Sequence, residues 1–198
     1  RMSQNVVLLN VLVLGGVGFI GRNFVKYLVD NKLASKIRVV DKVLPATAYF
    51  NKATQEAFDN PIVQFKQGNL SNPAGIAKHF AEEKWTYVVN LAAETKYGQT
   101  EEVYKEKVFD ISVNCAKEAA KHNVDRFIEV SIAQVYDSDK KPSKEDGKTK
   151  PWTLLAKYKL MAEEELKKIP DLNLVIVRPS VVYGPGDVAG IAPRLISA

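Results

Sequence analysis

The sequence predicts an α/β protein, a doubly wound parallel sheet held between two helical layers. Two observations lead there. Short runs rich in Val, Ile and Leu alternate with longer amphipathic stretches along the chain, and the short runs lack the polar alternation of strands with one wet face. The first run also ends in a glycine-rich turn that opens directly into a helical pattern. Such alternation implies right-handed crossovers and a sheet covered on both faces.

Taken in order, the first strand is Val11–Leu14, followed by Gly15-Gly16-Val17-Gly18-Phe19-Ile20-Gly21. Gly15 permits a tight turn, Gly18 lets a backbone approach a phosphate, and Gly21 lets helix and strand pack closely. The helix Phe19–Val29 places Ile20, Phe24 and Leu28 on one face. Its free N–H groups, beginning at Phe19 and Ile20, suit a pyrophosphate. The second strand, Ile37–Val40, closes on Asp41, twenty residues past Gly21, where an acid hydrogen-bonds a ribose diol. Together these features describe a Rossmann-type dinucleotide site. Asp41 favours NAD over NADP, because a 2′-phosphate would meet its charge; Lys42 and Arg22 are the cations that would oppose this preference.

Further strands are expected at Val63–Lys66, Tyr87–Asn90, Phe127–Val130 and Leu174–Val177. Helices are expected at Pro73–Glu83, from Glu101 to His122, and at Trp152–Lys168. Two loops, Val43–Pro61 and Asp137–Lys150, should lie at the ligand-facing edge.

The 198 residues suit one domain, with 46% apolar and 26% charged residues, an ordinary globular composition. The net charge of +5 is modest. Its densest basic stretch, Lys140 to Lys148, contains acids and no aromatics, which reads as a solvated loop rather than a nucleic-acid surface. One cysteine excludes an internal disulfide, and no Cys/His cluster has metal-ligand spacing. Cys115 falls on the apolar stripe Val108, Ile111, Cys115, Ala119 and reads as a buried thiol. His79 and His122 stand near helix ends without a visible partner and read as surface residues. The run Val6 to Leu14 leads straight into the glycine turn, as a core strand does and a signal peptide does not. No run reaches the length of a membrane span, so the expected location is cytoplasmic.

At this point the chain resembles a family, the extended short-chain dehydrogenase/reductases, which comprise nucleotide-sugar epimerases and dehydratases. The segments carrying the resemblance are Gly15 to Gly21, Gly68-Asn69-Leu70, Asn90-Leu91-Ala92-Ala93, Ser131 through Val135-Tyr136, and Arg178-Pro179 through Asp187. The resemblance implies NAD lying along these residues, with Asn69 and Leu70 at the adenine, Leu91, Ala92 and Ala93 along the cofactor, and Pro179 beside the nicotinamide. Lys159 would bind the nicotinamide ribose. The register is set by Lys159-Leu160-Met161-Ala162-Glu163.

Two positions depart from the family pattern. Leu155 stands where the tyrosine four residues before the lysine belongs, and Ile132 stands at the Ser/Thr position. No catalytic residue is therefore assigned. Tyr136 and Lys140 have Tyr-x-x-x-Lys spacing but fall in a loop; Tyr158 belongs to the packing stripe Leu155, Tyr158, Ala162, Leu166, Ile169. The expected function is a dinucleotide-binding protein with lost or reduced hydride transfer, serving a cofactor-gated regulatory or assembly role. The alternative is an active NAD-dependent oxidoreductase, epimerase or dehydratase with altered acid–base groups. A structural module with a vestigial site is opposed by the intact turn and Asp41. The resemblance further implies that residues 1–198 form the dinucleotide domain, with the C-terminal substrate-binding part largely absent. The remaining partner would be an unidentified small molecule or protein. A homodimer through Glu101–His122 and Trp152–Lys168 would place the acidic run Glu163-Glu164-Glu165 at its rim.

Overall fold

The computed structural model describes residues 9–137, 143–188, 190, 191 and 196. Six strands form one parallel sheet: β1 (Leu9–Leu14), β2 (Ala34–Asp41), β3 (Val63–Gln67), β4 (Tyr87–Asn90), β5 (Arg126–Val130) and β6 (Leu174–Val177). Their order is β3-β2-β1-β4-β5-β6. The chain reverses its direction of travel across the sheet between β1 and β4, which opens a crevice at the strands' C-terminal ends.

The helices are α1 (Phe19–Asp30), α2 (Lys52–Phe58), α3 (Pro73–Ala81), α4 (Glu101–Tyr104), α5 (Ile111–Lys121) and α6 (Leu154–Leu166). Successive residues of β1 serve opposite cores. Val11 and Val13 pack with Val25 and Leu28 of α1 and Phe58 of α2. Leu12 and Leu14 pack with Ile76 and Phe80 of α3, Ala116 and Ala119 of α5, and Leu166 of α6. This two-sided burial is why β1 reads as an uninterrupted apolar run. The expectation of two covered faces fails at β6: it is an edge strand, and Val175 and Val177 are exposed among the described residues.

Three other expectations change. The stretch Val43–Pro61, expected to be a loop, contains α2. Asn51 Oδ1 accepts the Thr54 N–H at 2.8 Å, and Ala57 and Phe58 turn inward. Seven residues are too few for a helical period to stand out from the sequence. The long helix expected from Glu101 to His122 is instead α4, a π-helical stretch Lys105–Asp110, and α5. Lys105 and Ile111, at the junctions, keep right-handed helical angles. Within the π stretch the Lys107 carbonyl accepts the Glu94 N–H at 3.2 Å, tying the helix to the loop after β4.

His79, expected at the surface, is buried. Its carbonyl accepts the Trp85 indole N–H at 3.0 Å, and its imidazole packs on Gly68, where a Cβ would come within 2.7 Å of Nε2. It lies on the same inner face of α3 as Ile76 and Phe80, a placement that its position near a helix end conceals. His122 is half-buried, with Nε2 3.4 Å from Glu118 Oε2. Cys115 is fully buried, and burial pushes its thiol pKa far up. Residues 1–8 and Lys140, with its neighbours from 138 to 142, lie outside the described residues.

Candidate functional site

A cleft of about 1100 Å³ opens at the C-terminal ends of the strands. All thirteen residues expected to hold a dinucleotide line it. They come from the glycine turn and the start of α1 (Gly15, Gly18, Phe19, Ile20, Gly21), from Asp41 at the end of β2, and from Asn69 and Leu70 after β3. Leu91, Ala92 and Ala93 follow β4, Lys159 comes from α6, and Pro179 follows β6.

The glycines differ in what demands them. Gly15 has φ +76°, and a Cβ there would lie 2.7 Å from the Ala92 nitrogen. A Cβ at Gly21 would lie 2.5 Å from Gly16 Cα. Both positions are closed to any side chain by the protein itself. Gly18 is less tightly held: its φ is −61°, and its Cβ would press on the Gly15 carbonyl alone, at 3.3 Å. Gly18 caps α1 without a side-chain hydrogen bond, and no acid stands in that helix's first turn. The helix therefore presents backbone N–H groups and the positive end of its dipole to the cleft.

Asp41 organises the turn. Its Oδ2 accepts the Val17 N–H at 3.0 Å and its Oδ1 accepts the Val43 N–H at 3.0 Å. Arg22 braces the same corner, donating from Nε to the Val17 carbonyl at 3.1 Å and from Nη1 to the Ala48 carbonyl at 3.1 Å. Its guanidinium sits 4.9 Å from the Phe50 ring centroid. Burial lowers the Arg22 pKa, and the neighbouring Asp41 charge opposes that shift. After β3, Asn69 Oδ1 accepts the Ser71 N–H at 3.0 Å.

Beneath the other end lies a carboxylate that the sequence reading missed. Glu129 of β5 is fully buried. Its Oε1 accepts from Ser112 Oγ and Lys159 Nζ, both at 2.9 Å, and its Oε2 accepts from Asn90 Nδ2 at 2.7 Å. Lys159 Nζ also donates to the Val130 carbonyl at 2.7 Å. Two of the three ammonium donors expected at a ribose are thus engaged by β5. An acid inside a strand covered on both faces is itself a signal, because a buried charge requires a partner.

Leu155 and Ile132 both line the cleft and pack with Tyr104, Val108 and Tyr158 in an apolar cluster. Tyr158 stays on the packing face, 6.3 Å between ring centroids from Tyr104, and donates to Glu101 Oε2 at 3.0 Å. Burial, then the hydrogen bond and charge of Glu101, hold its phenol pKa above the ordinary 10.0. Its proton is committed away from the cleft. Glu163, expected at a dimer rim, is fully buried. Arg178 claims it, with Nε 3.0 Å from Oε1 and Nη2 2.5 Å from Oε2. The Tyr136 hydroxyl accepts from Arg178 Nη1 at 2.6 Å, so this pair ties α6 to the segments leaving β5 and β6. Among the described residues no group of three or more His, Cys, Asp or Glu could hold a metal ion, and no helix is long and apolar enough to cross a membrane.

Comparison with known proteins follows the same line as the geometry. The family model described as NAD dependent epimerase/dehydratase family matches residues 11–198. The chain is 27% identical over 180 residues to a bifunctional UDP-glucose 4-epimerase and UDP-xylose 4-epimerase of Pisum sativum, covering 85% of this chain and 51% of that one. Among solved structures it is similar to a UDP-glucuronic acid 4-epimerase from Bacillus cereus in complex with NAD. That match has a TM-score of 0.77 and 25% identity, covering 90% of this chain and 58% of that one. The Bordetella bronchiseptica enzyme WbmG, in complex with NAD and UDP, shares the fold at TM-score 0.81 and 23% identity, covering 96% of this chain and 59% of that one. The chain spans about half the length of the curated relatives it matches. Nothing in these comparisons supports the expectation that hydride chemistry has been lost; they favour the active-enzyme alternative.

Proposed function

Since the chain belongs to the NAD dependent epimerase/dehydratase family, we propose that it is the dinucleotide-binding domain of a working NAD-dependent oxidoreductase of the epimerase or dehydratase kind. Its substrate would be a nucleotide sugar or a similar molecule carrying a hydroxyl or carbonyl group. The observation that carries this reading is Gly18. Packing inside the protein closes positions 15 and 21 outright and crowds position 18 only at the Gly15 carbonyl, while Gly18 lines the cleft at a helix start without a side-chain cap. A glycine lining the cleft at a helix start is what close approach of a phosphate requires.

On this reading the first turn of α1 holds the pyrophosphate, Asp41 the adenosine ribose and Asn69 the adenine edge. Leu91, Ala92 and Ala93 lie along the dinucleotide, with Lys159 at the far ribose and Pro179 at the nicotinamide end. When bound, NAD supplies a hydride acceptor and donor for the substrate carbon. The protein's part is to orient the reactants and move the proton. With Leu155 and Ile132 unable to do so, that duty falls on other groups lining the same end, among them Ser131 and Lys159. Lys159 retains one donor beyond its bonds to Glu129 and the Val130 carbonyl.

The test incubates the chain with NAD and UDP-glucose or UDP-glucuronic acid. It follows reduced-nicotinamide fluorescence and separates the sugar products by chromatography. Appearance of reduced cofactor or an isomerised or dehydrated sugar is expected. No rise in the chain's melting temperature with NAD, or no change in cofactor or sugar when the domain is joined to a substrate-binding part of the family, would overturn the reading.

A further inference from the structure

Ser131 stands at the exit of β5 and lines the cleft together with Ile132, Leu155 and Lys159. The residue is 5% exposed, and its Oγ is buried without a hydrogen-bond partner among the described residues. Its position is fixed by strand pairing, the Ser131 N–H donating to the Val177 carbonyl at 2.8 Å. The neighbouring polar groups are already matched to one another: Lys159, Asn90 and Ser112 all bond Glu129, and Ser131 is left out of that network. A buried hydroxyl with no partner costs the fold stability, and such groups call for an explanation. Two other buried atoms lack a hydrogen bond among the described residues, His79 Nδ1 and Glu118 Oε2; neither residue lines the cleft, and Glu118 Oε2 has His122 Nε2 at 3.4 Å.

We propose that Ser131 Oγ donates a hydrogen bond to a ligand oxygen at this end of the cleft and so supplies the hydroxyl that Ile132 cannot. The acceptor is a carbonyl-type oxygen, either the carboxamide of the bound dinucleotide or the reacting oxygen of the substrate. The inference rests on the functional reading above and assigns one of its missing groups.

Ser131→Ala separates this role from a structural one by sign. Without ligand the variant melts no lower than the parent chain, because only an unsatisfied hydroxyl is removed. With ligand it is weaker by roughly tenfold in affinity, the worth of one hydrogen bond. If the acceptor is the carboxamide, the loss appears with NAD and not with ADP-ribose, which lacks nicotinamide. If it is the substrate, NAD binding is unchanged and the loss appears for UDP-glucose added with NAD. Adding Ile132→Ser to Ser131→Ala restores the lost affinity. A lower melting temperature without ligand, unchanged affinity for every ligand, or a double variant no better than the single one would each overturn the proposal. Failure of the parent to bind NAD overturns both this inference and the functional reading; NAD binding identical in parent and variant, with unchanged sugar binding, overturns this inference alone.

Discussion

At the scale of single residues, Glu129 links the fold to the chemistry of the cleft. Its carboxylate satisfies Lys159, Ser112 and Asn90 at once, and all four residues are buried. Removing one partner strands the others. Glu129→Leu is expected to cost about 3–5 kcal/mol, the penalty for leaving a buried charge unpaired. Glu129→Leu with Lys159→Met should recover much of that loss, and the comparison is read from urea midpoints at constant slope. A single variant as stable as the parent would refute the importance of the pair. His79 makes a second residue-scale prediction. Burial holds its pKa below the ordinary 6.5, with Glu82 opposing and Arg38, Lys78 and Lys66 reinforcing the shift. The native state therefore binds fewer protons than the unfolded chain just below pH 6.5. Stability falls as the pH drops through that value and is flat with respect to this group above it. His79→Gln should flatten the dependence between about pH 5 and 7; an unchanged slope would assign it to other groups. These residues also mark what a sequence conceals. Gly15, Gly18 and Asp41 are legible because a turn and the strand beside it are local chemistry. Glu129 and Lys159 lie far apart in the chain and meet only because α6 packs over β5. Glu163 shows the same failure: beside Glu164 and Glu165 it reads as a solvated charge until Arg178 arrives from β6.

At the scale of elements, all six strands were legible, because a strand buried on both faces is a short apolar run with few other interpretations. Helices were less so where their ends depend on caps or on irregular turns. Thr153 Oγ1 accepts the Ala156 N–H at 3.1 Å and donates to Gln134 Oε1 at 3.1 Å, which starts α6 two residues later than expected and binds it to the turn after β5. Thr153→Ala is expected to cost about 1 kcal/mol, or roughly 2–4 °C in melting temperature for a domain of this size. Thr153→Ser, which keeps the oxygen, should cost far less. Equal losses in the two variants would point to the methyl group rather than the cap. The π stretch Lys105–Asp110 was invisible to a period-based reading because its apolar positions still approximate one face. Its consequence is tertiary: the freed Lys107 carbonyl reaches Glu94, and Glu94, Glu106 and Lys107 all come to line the cleft.

At the scale of the whole molecule, the question is which dinucleotide the cleft prefers, and the answer depends on how two charges are used. Asp41 holds the Val17 and Val43 N–H groups through one oxygen each, so its charge stays at the cleft wall while each oxygen keeps capacity to accept from a ribose hydroxyl. Arg22, one of two cations that could have welcomed a 2′-phosphate, is instead bound to the Val17 and Ala48 carbonyls and lies over Phe50. Lys42 also lines the cleft, beside Asp41. NAD is therefore expected to stabilise the chain more than NADP. At about a hundred times its Kd, NAD should add roughly 2.7 kcal/mol, a rise of about 5–10 °C in melting temperature, with NADP at the same concentration giving a smaller rise. Asp41→Asn removes the charge that opposes the phosphate and should narrow the difference between the two cofactors, mainly by weakening NAD. A parent chain stabilised equally by both, or more by NADP, would mean that Lys42 outweighs Asp41 and that the charge at the end of β2 does not select the cofactor.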